Sequence, residues 1–136
     1  YKNKVKKPIF PKEFFEQILA QKVGEIMLIK INGKVVSGML QLLYDKTVYD
    51  YYVFGLDTQY PNNYPSVLVY WETIKRASAL GYTTFDTMGA GTPGEAYGVR
   101  DFKLRFGSRL IEHGRFLSIN KPFLYKLGAL AIKLIS

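Results

Sequence analysis

The chain has 136 residues, 48% of them hydrophobic and 22% charged, with one histidine and no cysteine, which suits a single globular domain. The absence of cysteine excludes disulfide frameworks, thiolate zinc centres and cysteine nucleophiles, and one histidine alone builds no metal site, so neither metal nor cofactor is expected. Net charge is +8 and uneven: residues 1–97 carry 11 basic and 9 acidic side chains, residues 98–136 carry 8 and 2, a positive field at one end that draws polyanions.

Residues 1–10 read as a basic, irregular lead-in, and a chain that opens at Tyr1 without Met reads as a domain cut from a longer protein. From Pro11 to about Lys22 the pattern is helical, with Phe14, Phe15, Ile18 and Leu19 at three- and four-residue spacing. Three strands follow: Glu25–Ile31, Lys34–Tyr44 after the Asn32-Gly33 turn, and Thr47–Phe54 after Asp45-Lys46. Apolar residues on both faces predict a sheet covered on both sides. A polar loop to Tyr64 leads into a helix from Pro65 to about Leu80, whose expected inner stripe is Val67, Trp71, Ile74 and Ser78. Tyr82–Thr87 is a short strand ending near Asp86, followed by a glycine-rich loop from Gly89 to Tyr97. A short helix over Gly98–Phe106 buries Val99, Phe102 and Phe106, Arg109–Ile119 reads as a further strand, and residues 121–136 as a final, mostly apolar helix. The predicted class is α+β, a mixed sheet with helices on both faces.

That order matches the core of the GNAT acyltransferase fold. Within it, Gly98-Val99-Arg100-Asp101-Phe102-Lys103-Leu104-Arg105-Phe106-Gly107 resembles the Gly-x-x-x-Phe-Lys-x-x-Phe-Gly signature of the Fem family. Phe85-Asp86 ahead of the glycine-bearing loop, Tyr51-Tyr52 on the third strand and Pro65-Ser66 opening the Trp71 helix resemble it too. The resemblance implies transfer of an aminoacyl group from aminoacyl-tRNA to an amine of a peptidoglycan precursor, a phosphorylated UDP- or lipid-linked muropeptide. It implies a two-domain enzyme of which this is the C-terminal half, with the N-terminal GNAT-like half as partner. It also implies that Lys103 binds phosphate of the acceptor, and a cytoplasmic site at the inner face of the membrane. Two other functions stand beside it: an acyl-CoA-dependent N-acyltransferase, and a non-catalytic GNAT-like module that holds a phosphorylated ligand or RNA. Ordinary GNAT enzymes hold the acetyl-CoA pyrophosphate on a glycine-rich loop between the meander and the long helix. Here that stretch is Asp57-Thr58-Gln59-Tyr60-Pro61-Asn62-Asn63-Tyr64, which has no glycine and loses a backbone donor at Pro61.

Taken as chemistry alone, the start of the Gly98 helix offers unpaired N–H groups, and Arg100 and Lys103, three apart, are placed to clamp phosphate from one outer face. Asp86, at a strand end, and Glu95 and Tyr97, on the loop, are the candidates for acid–base work on a substrate amine. Gly89-Ala90-Gly91-Thr92-Pro93-Gly94 formally fits a dinucleotide fingerprint, but Pro93 interrupts it and no helix begins inside it. His113 is read as structural. The tail Phe123–Ile135 is too short to span a bilayer. It is expected to pack on the core or on the missing half, with peripheral membrane contact of a surface-lying basic helix as the alternative.

Overall fold

The computed structural model describes residues 9–114 and 116–135, and divides the chain into two compact units, Pro11–Leu110 and the residues on either side of it. The lead-in falls almost wholly on residues 1–8, outside the described residues.

The Pro11–Leu110 unit begins with α1 (Lys12–Ala20) and a meander of β1 (Gly24–Ile31), β2 (Lys34–Tyr44) and β3 (Thr47–Gly55). Then come α2 (Pro65–Ala79), β4 (Thr84–Asp86) and α3 (Gly98–Leu104). The strands form one sheet in the order β1-β2-β3-β4, antiparallel except for the β3–β4 pair, which is parallel. A parallel pair needs a crossover, and α2 supplies it. The first hairpin closes on Asn32 and Gly33, both at positive φ (50° and 77°), the turn that Asn-Gly favours.

The core lies between the sheet and α2. Met39, Val69 and Tyr70 are fully buried, with Met27, Ile29, Val53, Ile74 and Phe85 packed around them. Each such apolar side chain contributes roughly 1.5–3 kcal/mol by leaving water. Met39 and Val53 face each other across β2 and β3, so their neighbours Leu40 and Tyr52 point to the opposite face. There Phe15 of α1 meets the Tyr52 ring edge-on at 5.6 Å, and Phe14 lies 6.2 Å from Tyr51. The sheet therefore carries helices on both faces, as expected.

Four details differ from the pattern read along the chain. The buried stripe of α2 is Val69, Tyr70, Thr73 and Ala77, whereas Val67 and Trp71 are 41% and 51% exposed. Apolar residues occur around most of this helix, so periodicity alone does not choose the inner face; the sheet chooses it. Strand β4 has three residues rather than six, because the N–H groups of Tyr82 and Thr83 turn back to Ala77 and Lys46 carbonyls. Val99 is 46% exposed, since it stands one turn before Phe102 and two before Phe106, whose rings reach the core. Finally, no strand forms over Arg109–Ile119 among the described residues. Its exposed residues have no ladder partner, and Gly114 at φ 74° bends the segment. The second unit contains α4 (Pro122–Ile135), where a final helix was predicted.

Candidate functional site

Parallel pairing of β3 with β4 covers only Thr47↔Thr84, Val48↔Phe85 and Tyr49↔Asp86. Beyond that point β3 runs on through Asp50 to Gly55, while β4 ends at Asp86 and gives way to the 87–97 loop. Past Tyr49 the two strands part at the carboxyl end of a parallel pair, the usual place for a ligand crevice in such sheets. Asp86 stands exposed at its mouth, one carboxylate oxygen accepting the Met88 N–H at 2.7 Å.

Behind this crevice three buried polar side chains meet. Asp50, on β3, is 5% exposed and accepts a hydrogen bond from the Tyr70 hydroxyl of α2. The Lys103 ammonium of α3, 8% exposed, lies 3.9 Å from the same carboxylate oxygen. It also donates to the Thr87 carbonyl and, at 3.0 Å, to the Gly89 carbonyl. Burial pushes the Asp50 carboxyl above the usual carboxylate range against the pull of Tyr70 and Lys103, with Asp86 adding to the rise. Burial likewise pushes the Lys103 ammonium down, opposed by Asp50 and Asp86. Tyr70 is raised by burial and by Asp50, so it remains a protonated donor. Across the sheet the polar row continues. Gln41 pairs with Asp50 on one side and Glu25 on the other, Gln41 donates to Glu25, and Arg76 bonds Glu25 at 3.1 and 3.2 Å. A recess of about 170 Å³ opens at that end, lined by Glu25, Ile26, Met27, Gln41 and Arg76.

The geometry of α3 corrects the picture of an outward-facing pair of cations. Lys103 follows Phe102 and precedes Phe106 by one turn, which places it on the inner arc. Phe106 stacks on Tyr70 at 5.0 Å and 27°, and Phe102 meets Tyr70 edge-on at 5.1 Å. Arg100, half-buried, donates to the carbonyls of Thr92 and Glu95. Both cations therefore grip backbone carbonyls of the loop that leaves β4, Lys103 at its start and Arg100 in its middle. The same loop closes on itself where Gly91, at φ 76°, lies against the Tyr97 ring, so near that a Cβ would sit 2.8 Å from it. Tyr97 caps the start of α3, Gly98 is its first residue, and Glu95 is exposed on the loop. His113 is exposed in an irregular stretch of the second unit, not in a strand.

Of the residues singled out in the sequence, the structure gathers Asp86, Lys103, Arg100, Glu95, Tyr97 and Gly98 around one loop. Asp50 and Tyr70 escaped notice. Asp50 had a signal, a single carboxylate inside a strand with apolar residues on both faces; Tyr70 had none among eleven tyrosines.

At the start of α2, Asp57 reaches over from the preceding loop. One of its oxygens accepts the Ser66 N–H at 3.0 Å and the other the Ser66 hydroxyl. Gly55 makes this approach feasible, because a Cβ there would lie 2.8 Å from the Asp57 carboxylate and 2.9 Å from the Ser66 nitrogen.

The model of the "Acetyltransferase (GNAT) domain" family matches residues 2–104. The chain belongs to that family. Its sheet, α2 crossover and parallel β3–β4 pair are the core of a GNAT acyltransferase domain, as the element order implied. Two solved structures of the aminoglycoside acetyltransferase meta-AAC0020, from an uncultured soil metagenomic sample, resemble it. One is a complex with trehalose and the other with sisomicin. Each is 15% identical, covers 82% of this chain and 78% of its own, and superposes with a TM-score of 0.55. At that identity the likeness is one of fold. No curated protein matches the sequence.

Within the GNAT frame, the Asp57 position has a particular meaning. The start of the long helix is where ordinary members hold the pyrophosphate of acetyl-CoA, and here a carboxylate of the chain itself occupies the Ser66 N–H. A second anion at that spot meets like charge as well as fewer free donors.

Proposed function

We propose that this GNAT domain works in the Fem manner, passing an aminoacyl group to an amine of a peptidoglycan-precursor-like acceptor that binds in the crevice beside β3 and the 87–97 loop. The observation that carries the reading is the use made of the Phe-Lys-x-x-Phe-Gly run. Phe102 and Phe106 fasten α3 to Tyr70, and Lys103 holds the Thr87 and Gly89 carbonyls, so the whole signature serves to shape one wall of that crevice. Asp57 supports the same reading against an acyl-CoA donor held in the ordinary way.

Aminoacyl-tRNA is an activated ester, so the protein's task is placement and one proton transfer. The acceptor amine attacks the ester carbonyl carbon and a base takes the proton from the attacking nitrogen. The ester C–O bond then breaks as that proton passes to the departing ribose oxygen, which leaves as the free hydroxyl of the tRNA. Asp86, exposed at the crevice mouth, is our candidate for that base, with Glu95 on the facing loop second. Arg100 and the Gly98 end of α3 are nearest in kind to phosphate ligands, whereas Lys103 acts through the loop it holds.

Calorimetric titration with a UDP-linked muramyl pentapeptide and with acetyl-CoA tests the proposal. Binding of the muramyl peptide but not of acetyl-CoA is expected, and the reverse pattern sinks the Fem reading. Asp86→Asn is the informative variant for turnover. It should lower kcat by about a hundredfold or more while leaving acceptor affinity near the parent value. Lys103→Ala is a poor probe of the ligand, because it also leaves Asp50 and two carbonyls without their partner.

A further inference from the structure

The second unit ends in a helix whose apolar surface is bare. Phe123, Leu124, Leu127, Leu130 and Leu134 of α4 are 49–80% exposed, and Phe116 and Leu117, in the irregular stretch before it, are 101% and 71% exposed. At 100° per residue, Lys126 and Lys133, seven apart, share one stripe of α4, with Leu130, Phe123, Leu134, Leu127 and Leu124 on one side of it and exposed Tyr125 and Ile132 on the other. From His113 to Ser136 the sequence contains no carboxylate, against Arg115, Lys121, Lys126 and Lys133. An apolar arc flanked by uncompensated cations is complementary to one kind of surface, an interface that is anionic outside and apolar beneath. A second copy of the chain offers the apolar half of that match but brings its own cations with it. A 14-residue helix is about 21 Å long, short of the roughly 30 Å hydrocarbon core. None of the described helices is long and apolar enough to cross a membrane.

We propose that α4, together with Phe116 and Leu117, docks in the plane of an anionic lipid bilayer, its leucine arc in the acyl boundary and Lys126 and Lys133 at the headgroups. Docking rests on this surface alone and is independent of what the crevice binds.

The full chain is to be sedimented with vesicles of phosphatidylglycerol and phosphatidylcholine, and with vesicles of phosphatidylcholine alone. Binding should be at least about tenfold stronger to the anionic vesicles and should weaken as salt rises. Lys126→Glu with Lys133→Glu should cost about tenfold or more, and Leu127→Asp with Leu134→Asp should abolish binding. Both pairs are exposed, so far-UV circular dichroism and the unfolding midpoint should match the parent and exclude misfolding as the cause. Absence of binding, or equal binding to both vesicle types, overturns the proposal. So does a dimer in sedimentation velocity that the leucine variant dissolves while vesicles bind nothing.

Discussion

Lys103 and Asp50 bring opposite charges 3.9 Å apart into a site where each is less than a tenth exposed. Removing one partner strands the other, a loss of about 3–5 kcal/mol, whereas removing both spares that penalty. Urea unfolding of Lys103→Met, Asp50→Asn and the double variant should therefore give a double-variant loss smaller than the sum by about 0.5–3 kcal/mol. Additive losses would mean the two charges do not interact. The pH dependence has a definite sign. Folding raises the Asp50 carboxyl above its ordinary value of 3.8, so the folded chain keeps a proton that the unfolded chain has released. Its contribution is complete below that ordinary value and is lost as pH rises through the raised one. Asp50→Asn should thus cost more at acid pH than at neutral pH, in unfolding curves taken at both. The signature singles out Lys103 in the sequence, but the direction of its side chain was not legible. One residue's place on a short helix depends on which arc the neighbouring rings occupy.

Among the elements, α2 is the one whose ends and faces do most. Its inner stripe supplies Tyr70 to Asp50, to Phe102 and to Phe106, and its first turn is held by Asp57. Asp57→Ala should lower stability by about 0.5–2 kcal/mol, the worth of a helix-start carboxylate, read as a lower thermal midpoint. Gly55→Ala should act through the same contact. The added methyl has to displace Ser66 or Asp57, at a cost of about 1–3 kcal/mol. If Gly55→Ala equals the parent while Asp57→Ala does not, the close approach at Gly55 is not what holds the loop. The helix itself was readable from Pro65 and the apolar repeat. Which arc of it faces the sheet was not, because Val67, Trp71, Ile74 and Ser78 repeat at the same three- and four-residue spacing as Tyr70, Thr73 and Ala77.

Over the molecule as a whole, the described core is confined to Pro11–Leu110. Met39, Val69, Tyr70 and all the side chains packed around them lie inside those bounds. A chain cut to residues 11–110 should accordingly unfold in a single cooperative urea transition, monitored by Trp71 fluorescence. A broad, non-cooperative transition would show that the remaining residues contribute to this core. The charge gradient is arranged the same way, since four of the eight cations after residue 97 lie beyond Leu110 with Glu112 as the single acid there.

The sequence by itself determined the order of α1, the meander, α2, β4, α3 and α4, the GNAT class that this order implies, and the loop on which the candidate residues gather. Periodicity, turn residues and one signature are local properties, and they survive without knowledge of the neighbours. Tertiary structure alone decided that Lys103 points inward to Asp50, that Asp57 closes the start of α2, and that the described residues of Arg109–Ile119 form no strand. Each of these depends on a partner that periodicity does not name, 53 residues away for Lys103 and nine for Asp57. A buried cation needs a carboxylate, a helix start needs whichever anion reaches it first, and a strand exists only where an edge is open to pair with it.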